Sequence, residues 1–214
     1  MKIGVLGTGD VGRRLASRLS GLGHEVTLGS RTADNPVAAA WAREHQGHHD
    51  TFAGAATHGE LVVNATGGLV ALAALKAAGT ANLDGKIVVD VSNPLDFSQG
   101  FPPRLVVPAA GSVAEQLQQA FPRTRIVKTL NTMHNTLMTD PAQVPGPHNV
   151  FVCGDDEAAR AQVADLLKSF GWADRQILDL GGLSAARSVE PLVLLWISLS
   201  GTLRTSDFNF AILR

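Results

Sequence analysis

The glycine-rich turn after the first apolar run constrains the fold more strongly than any other feature of the chain. Residues 1–6 have the apolar character of a β-strand, and GTGDVG follows at once from Gly7 to Gly12. Apolar residues then recur on one helical face up to Leu22, and a second β-type run comes at 26–28. A strand, a turn, a helix and a parallel strand within about thirty residues predict a right-handed βαβ unit.

Each glycine of this turn has a physical task. Gly7 allows the tight turn, Gly9 leaves a pyrophosphate room against the backbone, and Gly12 lets the helix pack closely on its strand. The helix also offers free N–H groups and the positive end of its dipole to phosphates. A glycine turn between a strand and a helix therefore predicts a dinucleotide site rather than a bland turn. We assign this site to Gly7, Thr8, Gly9, Asp10, Val11 and Gly12.

The end of the second strand indicates which dinucleotide binds. An NAD site usually places Asp or Glu about twenty residues after the glycines, where it accepts from the ribose 2′-hydroxyl. Here the strand ends in Ser30 and Arg31, and the nearby acid Glu25 lies at the strand's start. A hydroxyl beside a guanidinium complements a 2′-phosphate, so we predict that these two residues bind NADP(H). The alternative is that they merely begin a solvated loop.

Composition and charge exclude several classes of protein. The chain has 214 residues, of which 45% are hydrophobic and 17% charged, as expected of a globular domain with a sizeable core. A formal net charge of −1, with acids and bases interspersed, gives no basic face for nucleic acid or an anionic membrane. The single cysteine, Cys153, excludes an internal disulfide framework and a multi-cysteine zinc site.

Both ends of the chain bear on where in the cell the protein is expected to be. The first strand begins at the N-terminus and leaves no room for a targeting peptide. The apolar run from Pro191 to Leu203 is too short to span a bilayer and is interrupted by polar residues and a glycine. We therefore expect a cytoplasmic protein that binds neither nucleic acid nor membrane.

Strand and helix patterns alternate along the whole chain without a break in composition. They predict an α/β fold of the Rossmann type, a doubly wound and mostly parallel sheet in a single domain over residues 1–214. A C-terminal helix at about 185–199 and a short final strand at 208–213 extend this domain. The polar segment 47–59 is predicted as a loop whose histidines are surface residues rather than metal ligands. Further strands are predicted at 60–65, 86–91, 125–128, 149–153 and 176–178, and further helices at 36–45, 68–78, 112–121 and 155–170.

Ligands of a doubly wound sheet bind beyond the carboxyl ends of its strands. That rule selects four loops, at 7–12, 65–68, 92–95 and 129–134. Asparagines in the last two are placed to hydrogen-bond ribose or the nicotinamide amide, although Asn and Pro also favour ordinary turns. No metal ligand or catalytic residue is assigned. The cofactor-binding residues predicted in the last three loops are Ala65, Thr66, Gly67, Asn93, Pro94, Asn131 and Thr132.

With these motifs in place, the sequence resembles the NADP-dependent oxidoreductases that act on coenzyme F420, and also the reductase domain of the STEAP ferric reductases. The resemblance covers nearly the whole chain. It rests on GTGDVGRRLASRLSGLGHEVTLGSR at 7–31, DVSNPL at 90–95, SVAEQL at 112–117, VKTLNTM at 127–133, VCGDD at 152–156, DLGGLSAARSVEPL at 179–192 and the closing FNFAIL.

The resemblance implies a function. Thr8, Ser30 and Arg31 would touch the NADP phosphates, and hydride would pass between the nicotinamide and a small-molecule acceptor with a flat ring, coenzyme F420 or a flavin (FMN or FAD). F420-using members tend to carry a histidine where this chain has Asn131, and His134 lies three residues further on. They also often carry a base just after Ser-Arg, where this chain reads TADN. NADP binding is expected despite both departures, while the acceptor and the role of His134 stay open.

Other classes can be weighed on the sequence itself. The chain has no tyrosine, which a short-chain dehydrogenase requires, and too few cysteines for a zinc alcohol dehydrogenase. The 64 residues from 151 to 214 cannot supply the large helical domain of a β-hydroxyacid dehydrogenase. A non-catalytic NADP(H)-binding redox sensor is the alternative from another class. The apolar helix around Leu194 and Trp196 could wall a flat-ring pocket, or it could serve as core or as a homodimer interface.

Overall fold

The computed structural model describes residues 1–213 and places an eight-stranded, mostly parallel sheet around the predicted βαβ unit, with two further short strands in a separate antiparallel pair. Its strands are β1 (Lys2–Leu6), β2 (Glu25–Ser30), β3 (His48–Thr51), β4 (Leu61–Asn64), β5 (Ile87–Asp90), β6 (Leu95–Asp96), β7 (Arg104–Leu105), β8 (Arg125–Thr129), β9 (Val150–Cys153) and β10 (Ile177–Asp179). Its helices are α1 (Asp10–Gly21), α2 (Pro36–His45), α3 (Phe52–His58), α4 (Gly68–Ala78), α5 (Thr80–Leu83), α6 (Val113–Ala120), α7 (Asn135–Thr139), α8 (Glu157–Phe170), α9 (Ala186–Val189) and α10 (Leu192–Leu203).

The order of the main sheet is β10-β9-β8-β5-β4-β1-β2-β3. All neighbours are parallel except β8 and β9, which pair antiparallel. The chain runs outward from β1 to β3 and then returns to β4 on the other side, so the order reverses between β1 and β4. This reversal creates the crevice in which ligands of such sheets bind. The prediction of a Rossmann-type, doubly wound, mostly parallel α/β fold is confirmed.

Helices cover both faces of the sheet, which explains why the central strands are apolar on both sides. One face is packed by α1, α2 and α8, which bury residues such as Leu15 and Phe170. The other is packed by α3, α4 and α6, which bury residues such as Leu75 and Leu117. This two-sided core fixes the strand ends, and the loops that follow them, along one edge of the sheet. We call this edge the cofactor edge.

The segment 47–59 was predicted as a loop, and this prediction is wrong. Residues 48–51 form β3, which pairs with β2, and residues 52–58 form α3, whose first turn is capped by Thr51. The polar side chains of β3 lack the apolar pattern that predicts a strand. This edge strand is held by its backbone pairing with β2 instead. For α3 a signal was present, since Phe52 and the alanines that follow it pack into the core.

The C-terminal region also differs from its prediction. The helix expected at 185–199 is interrupted at Glu190 and Pro191 and then continues to Leu203. The final strand expected at 208–213 does not form in the described residues, because this segment has no ladder partner. Three bonds to Asn149 hold it instead: the Asn149 N–H donates to Phe210 O at 2.8 Å, and Asn149 accepts from the Ile212 N–H at 2.7 Å and from Asn209 Nδ2 at 2.9 Å.

Taken with the turn before α9, Leu183–Leu203 is a helical segment of 21 residues that is apolar enough to cross a membrane by length and composition. It is longer than the run from which the sequence prediction was made, and 28% of its apolar window is buried. A core helix of a soluble protein meets the same two criteria. The expected absence of membrane binding therefore stays a prediction.

Candidate functional site

The three glycines of the turn after β1 differ in whether the packing of the chain itself requires them. Gly7 has a φ of +118°, and a Cβ there would lie 2.7 Å from the carbonyl oxygen of Ala65. A Cβ on Gly12 would overlap the carbonyl oxygen of Gly7. A Cβ on Gly9 would meet nothing within 4 Å, and its φ of −72° suits any residue. The chain's own packing therefore requires Gly7 and Gly12, whereas nothing in the described chain requires Gly9, and the backbone there is open to a ligand.

The start of α1 is open to an anion. Helices α2, α3, α6 and α8 each begin at a side chain that accepts hydrogen bonds from the first turn. By contrast α1 begins at Gly9 and α4 at Gly67, neither of which can cap its helix. These two starts lie at the cofactor edge, in two of the loops predicted to bind the cofactor. At α4 the Gly68 N–H already donates to Asn93 O at 3.0 Å, so it is the free N–H groups and the dipole of α1 that fit the pyrophosphate of a dinucleotide.

The end of β2 brings Ser30 and Arg31 beside this turn. The Gly7 N–H donates to Gly29 O at 3.0 Å, which ties the two strand ends together. Ser30 is buried, and its hydroxyl donates to the carbonyl of Thr32 and so shapes the loop. The guanidinium of Arg31 is exposed and has no hydrogen bond or ion pair with residues 1–213. Arg31 is therefore available to a ligand, whereas the hydroxyl of Ser30 would have to exchange its present partner to bind one.

Asn93 and Asn131 join the loops after β5 and β8. Asn131 Nδ2 donates to Asn93 Oδ1 at 3.0 Å, and Asn93 Nδ2 donates to the carbonyl of Asn131 at 2.7 Å. Asn131 Nδ2 also donates to the carbonyl of Val189 at 2.9 Å. Asn131 Oδ1 accepts no hydrogen bond within the described chain and is not an enclosed atom. It is thus the group of this pair that a ligand can use.

The other predicted residues reach the cofactor edge in different ways. Val11 and Ala65 pack against the core, so their backbone is what they offer a ligand. Thr66 is committed to a neighbour, since its hydroxyl donates to Asn64 Oδ1 at 2.7 Å. Pro94 and Thr132 are buried. Thr8 is half-buried, and its hydroxyl makes no hydrogen bond with residues 1–213.

A buried charged cluster under this edge was not foreseen as a unit. Lys128 Nζ lies 2.8 Å from Asp90 Oδ2 and 3.1 Å from Glu190 Oε1, and it donates to the carbonyl of Ser92. The three charged side chains are almost fully buried. Burial by itself would lower the pKa of Lys128, but the two carboxylates more than offset this, so the pKa is raised and the ammonium is retained. We call Asp90, Lys128 and Glu190 the buried triad.

The buried triad connects to the cofactor loops on one side and to the C-terminal region on the other. Asp90 Oδ1 accepts from Asn64 Nδ2 at 2.7 Å, and Asn64 in turn holds Thr66. Glu190 accepts from the N–H groups of Val113 at 2.9 Å and Ala114 at 3.1 Å, at the start of α6. The sequence does carry a sign of these three residues. Asp90, Lys128 and Glu190 each stand within or at the end of an apolar run, in IVVDV, RIVKT and SVEPL.

Cys153 lies beside the triad, paired in register with Lys128. It is buried, and burial raises the pKa of its thiol to about 12. A thiol in this state is a poor nucleophile. Cys153 is therefore a packing residue.

His134 follows the loop after β8 and faces the C-terminal region. Its ring stacks on Trp196 with 6.2 Å between centroids, and Trp196 stacks on Phe208 with 5.4 Å. Its Nδ1 lies 2.9 Å from Thr136 Oγ1. The apolar helix α10 therefore packs directly against the loop that was predicted to border the acceptor.

Comparison with known proteins identifies the group to which the chain is similar. Residues 2–94 match the family model described as NADP oxidoreductase, coenzyme F420-dependent. The F420-dependent NADP reductase of Methanocaldococcus jannaschii is 32% identical over 211 residues, which cover 94% of this chain and 92% of that protein. Metalloreductase STEAP3 of Rattus norvegicus is 32% identical over 198 residues, 90% of this chain. The chain spans only 36% of the length of STEAP3.

A solved structure is similar over the whole length. A protein of Arthrobacter sp. FB24, proposed to be an F420-dependent NADP reductase, is 51% identical to this chain. The two superpose with a TM-score of 0.93, and the match covers 100% of each chain. The resemblance drawn from the sequence motifs is confirmed.

The roles of the glycines can be tested by substitution. Gly9→Val should leave the fold intact, because the site is open and its φ is ordinary, and should abolish dinucleotide binding, because the side chain occupies the phosphate position. Gly12→Ala should instead destabilise the protein, because the new Cβ overlaps the turn. Thermal unfolding and fluorescence titration with NADPH distinguish the two. Normal NADPH binding by Gly9→Val would show that the phosphates lie elsewhere.

The buried triad should dominate local stability. Lys128→Met leaves two buried carboxylates without a cation, and breaking such a group by removing one partner costs about 3–5 kcal/mol. The exposed Lys76→Met is the control and should change the free energy of unfolding by less than about 0.5 kcal/mol. Denaturant unfolding measures both. Similar stability of the two variants would mean that the triad contributes little.

Proposed function

Since the chain belongs to the family of coenzyme F420-dependent NADP oxidoreductases, and is thus an NADP-dependent oxidoreductase, we propose that it transfers hydride between NADPH and a flat-ring acceptor of the F420 or flavin type. The observation that carries this proposal is the cofactor edge. There an uncapped helix start, an open Gly9 and an Arg31 without a partner among residues 1–213 lie near the point where the strand order reverses.

The residues present fit NADP(H) group by group. The pyrophosphate would meet the first turn of α1, where Gly9 leaves the backbone accessible. The 2′-phosphate would meet Arg31, whose planar donors suit a phosphate, with Ser30 and Thr8 beside it. The nicotinamide would lie over the loops after β4, β5 and β8, where Asn131 Oδ1 can accept from the carboxamide N–H.

Hydride transfer between two stacked rings places few chemical demands on the protein. The cofactor and the acceptor supply the electronic properties. The chain has to hold the reacting carbons roughly 3–3.5 Å apart in aligned geometry and keep water away. The rigid pair Asn93–Asn131, held in turn by Val189, provides such a fixed border. A catalytic acid–base triad is not needed for this reaction, so no catalytic residue is proposed.

The identity of the acceptor is tested with NADPH oxidation against F420, FMN, FAD, quinone and ferric chelates. Turnover with a flavin or a deazaflavin supports the proposal. Tight NADPH binding without turnover by any acceptor would instead favour the redox sensor. The cytoplasmic location, the homodimer through the C-terminal helix and the absence of nucleic-acid and membrane partners stay predictions.

Cofactor preference follows from Arg31. A lost charged hydrogen bond costs roughly 1.5–3 kcal/mol, so NADPH should bind at least about tenfold more tightly than NADH. Arg31→Ala should remove this preference by weakening NADPH strongly and NADH little. Calorimetry with both dinucleotides on both proteins measures it. Equal affinities in the wild type would refute the assignment of Arg31 to the 2′-phosphate.

The effect of losing Asn131 Oδ1 can be measured apart from the effect of losing the hydrogen bond between Asn131 and Asn93. Asn131→Ala and Asn93→Ala both remove the hydrogen bond from Asn131 Nδ2 to Asn93 Oδ1, but only Asn131→Ala removes the free Oδ1, together with the bond to Val189. We expect Asn131→Ala to lower turnover more than Asn93→Ala does, and more than it lowers NADPH affinity. Because a neutral amide lacks the titratable proton of the histidine in F420 users, turnover with F420 should be weaker than with a flavin. Efficient F420 reduction, or equal effects of the two variants, would contradict this role.

A further inference from the structure

A cleft of about 1150 Å³ runs along the outer face of α1. Its floor is the exposed side of α1, at Asp10, Arg13, Arg14, Ser17 and Arg18. These positions recur at helical spacing and lie opposite the buried stripe of the same helix. One wall is α2, and the other is α7 with the turn that follows it. Nothing in the packing of the sheet requires this cleft.

The cleft begins at the cofactor edge. Three residues at its upper end, Asp10, Pro36 and His134, each belong to or directly follow a loop at this edge. Asp10 follows Gly9 in the glycine turn, Pro36 follows the loop of Ser30 and Arg31, and His134 ends the loop after β8. A molecule whose ring lies over the nicotinamide can therefore extend its remaining part down this cleft.

The charged groups of the cleft are not equivalent. Arg13 pairs with Asp10, and Arg18 donates to the carbonyls of Ser169 at 3.1 Å and Phe170 at 3.0 Å, at the end of α8. Asp140 accepts from Gln143 at 3.2 Å. Arg14 is exposed and has no hydrogen bond or ion pair with the rest of the described chain. It is the cation of the cleft that is free to bind a ligand.

The acidic residue Glu44, which also lines the cleft, lies further from the edge than Arg14 does. Both α1 and α2 follow parallel strands and start at the cofactor edge. At a rise of 1.5 Å per residue, Arg14 is about 6 Å below the start of α1, and Glu44 is about 12 Å below the start of α2. Near the edge Asp10 is paired with Arg13, and the one other carboxylate among the described lining residues is that of Asp140, so Arg14 together with the positive end of α1 leaves a small positive excess there. This part of the cleft suits an anion.

We propose that this cleft binds the phosphorylated tail of the hydride acceptor, with Arg14 as the residue that recognises the phosphate. The inference rests on the proposed function, because the acceptor ring has to lie over the nicotinamide for its tail to reach the cleft. An arginine on a rigid helix offers a fork of N–H donors that matches phosphate oxygens. Arg14 is thus a specificity residue for the acceptor and not for NADPH.

FMN and riboflavin provide a matched pair of probes, since they share one ring and differ by one phosphate. The wild type should use FMN with a higher kcat/KM than riboflavin. Arg14→Gln, which keeps helix propensity, should lower kcat/KM for FMN about tenfold, the order expected for a charged hydrogen bond. The values for riboflavin and the Kd of NADPH should not change. Arg43→Gln, an exposed arginine of α2 outside the cleft, is the control and should change none of these.

Three results would overturn the inference. The first is equal use of FMN and riboflavin by the wild type. The second is an equal loss with both flavins in Arg14→Gln. The third is weaker NADPH binding in this variant, which would assign the helix face to the dinucleotide.

If no acceptor oxidises NADPH, the proposed function fails, but the cleft is still tested. Flavin fluorescence quenching then measures FMN and riboflavin binding to the protein saturated with NADP⁺. Preferential, Arg14-dependent binding of FMN supports the tail site, and equal binding overturns it.

Discussion

The buried ammonium of Lys128 is the constraint on which the candidate site depends. Placing this charge in the core costs several kcal/mol unless carboxylates and carbonyls surround it. Asp90 from β5 and Glu190 from the C-terminal region supply the carboxylates, and Ser92 supplies a carbonyl. These groups come from distant parts of the sequence. The strand ends under the cofactor edge and the start of the C-terminal helices must therefore assemble together or leave a charge unpaired.

This requirement explains why the C-terminal region is part of the site and not an appendage. Glu190 interrupts the apolar helix at the point where it also accepts two N–H groups of α6. The residue before it, Val189, holds Asn131 through its carbonyl. The same short segment thus fixes the buried triad and the loop beside the expected nicotinamide. The packing of Trp196 on His134 then continues this contact along α10.

The sequence was informative where local chemistry and tertiary structure agree. The βαβ unit, the capped start of α2 at Asn35 and the glycine that ends α8 were readable because each depends on neighbouring residues. β3 and the C-terminal segment were misread because their structure depends on partners far along the chain. The buried triad was also missed, since each of its charges stands alone in an apolar run. Only the fold brings them within hydrogen-bond distance.

Within the candidate site, the groups that the fold leaves unused carry the functional argument. Gly7, Gly12, Thr66 and the amide nitrogens of the asparagine pair are all engaged within the chain. Because their structural contacts already explain them, they say little about ligands. Gly9, the guanidinium of Arg31 and Asn131 Oδ1 have no such partners in the described chain. Under the proposed function they would follow an extended dinucleotide along the cofactor edge, with Gly9 at the pyrophosphate, Arg31 at the 2′-phosphate and Asn131 at the nicotinamide.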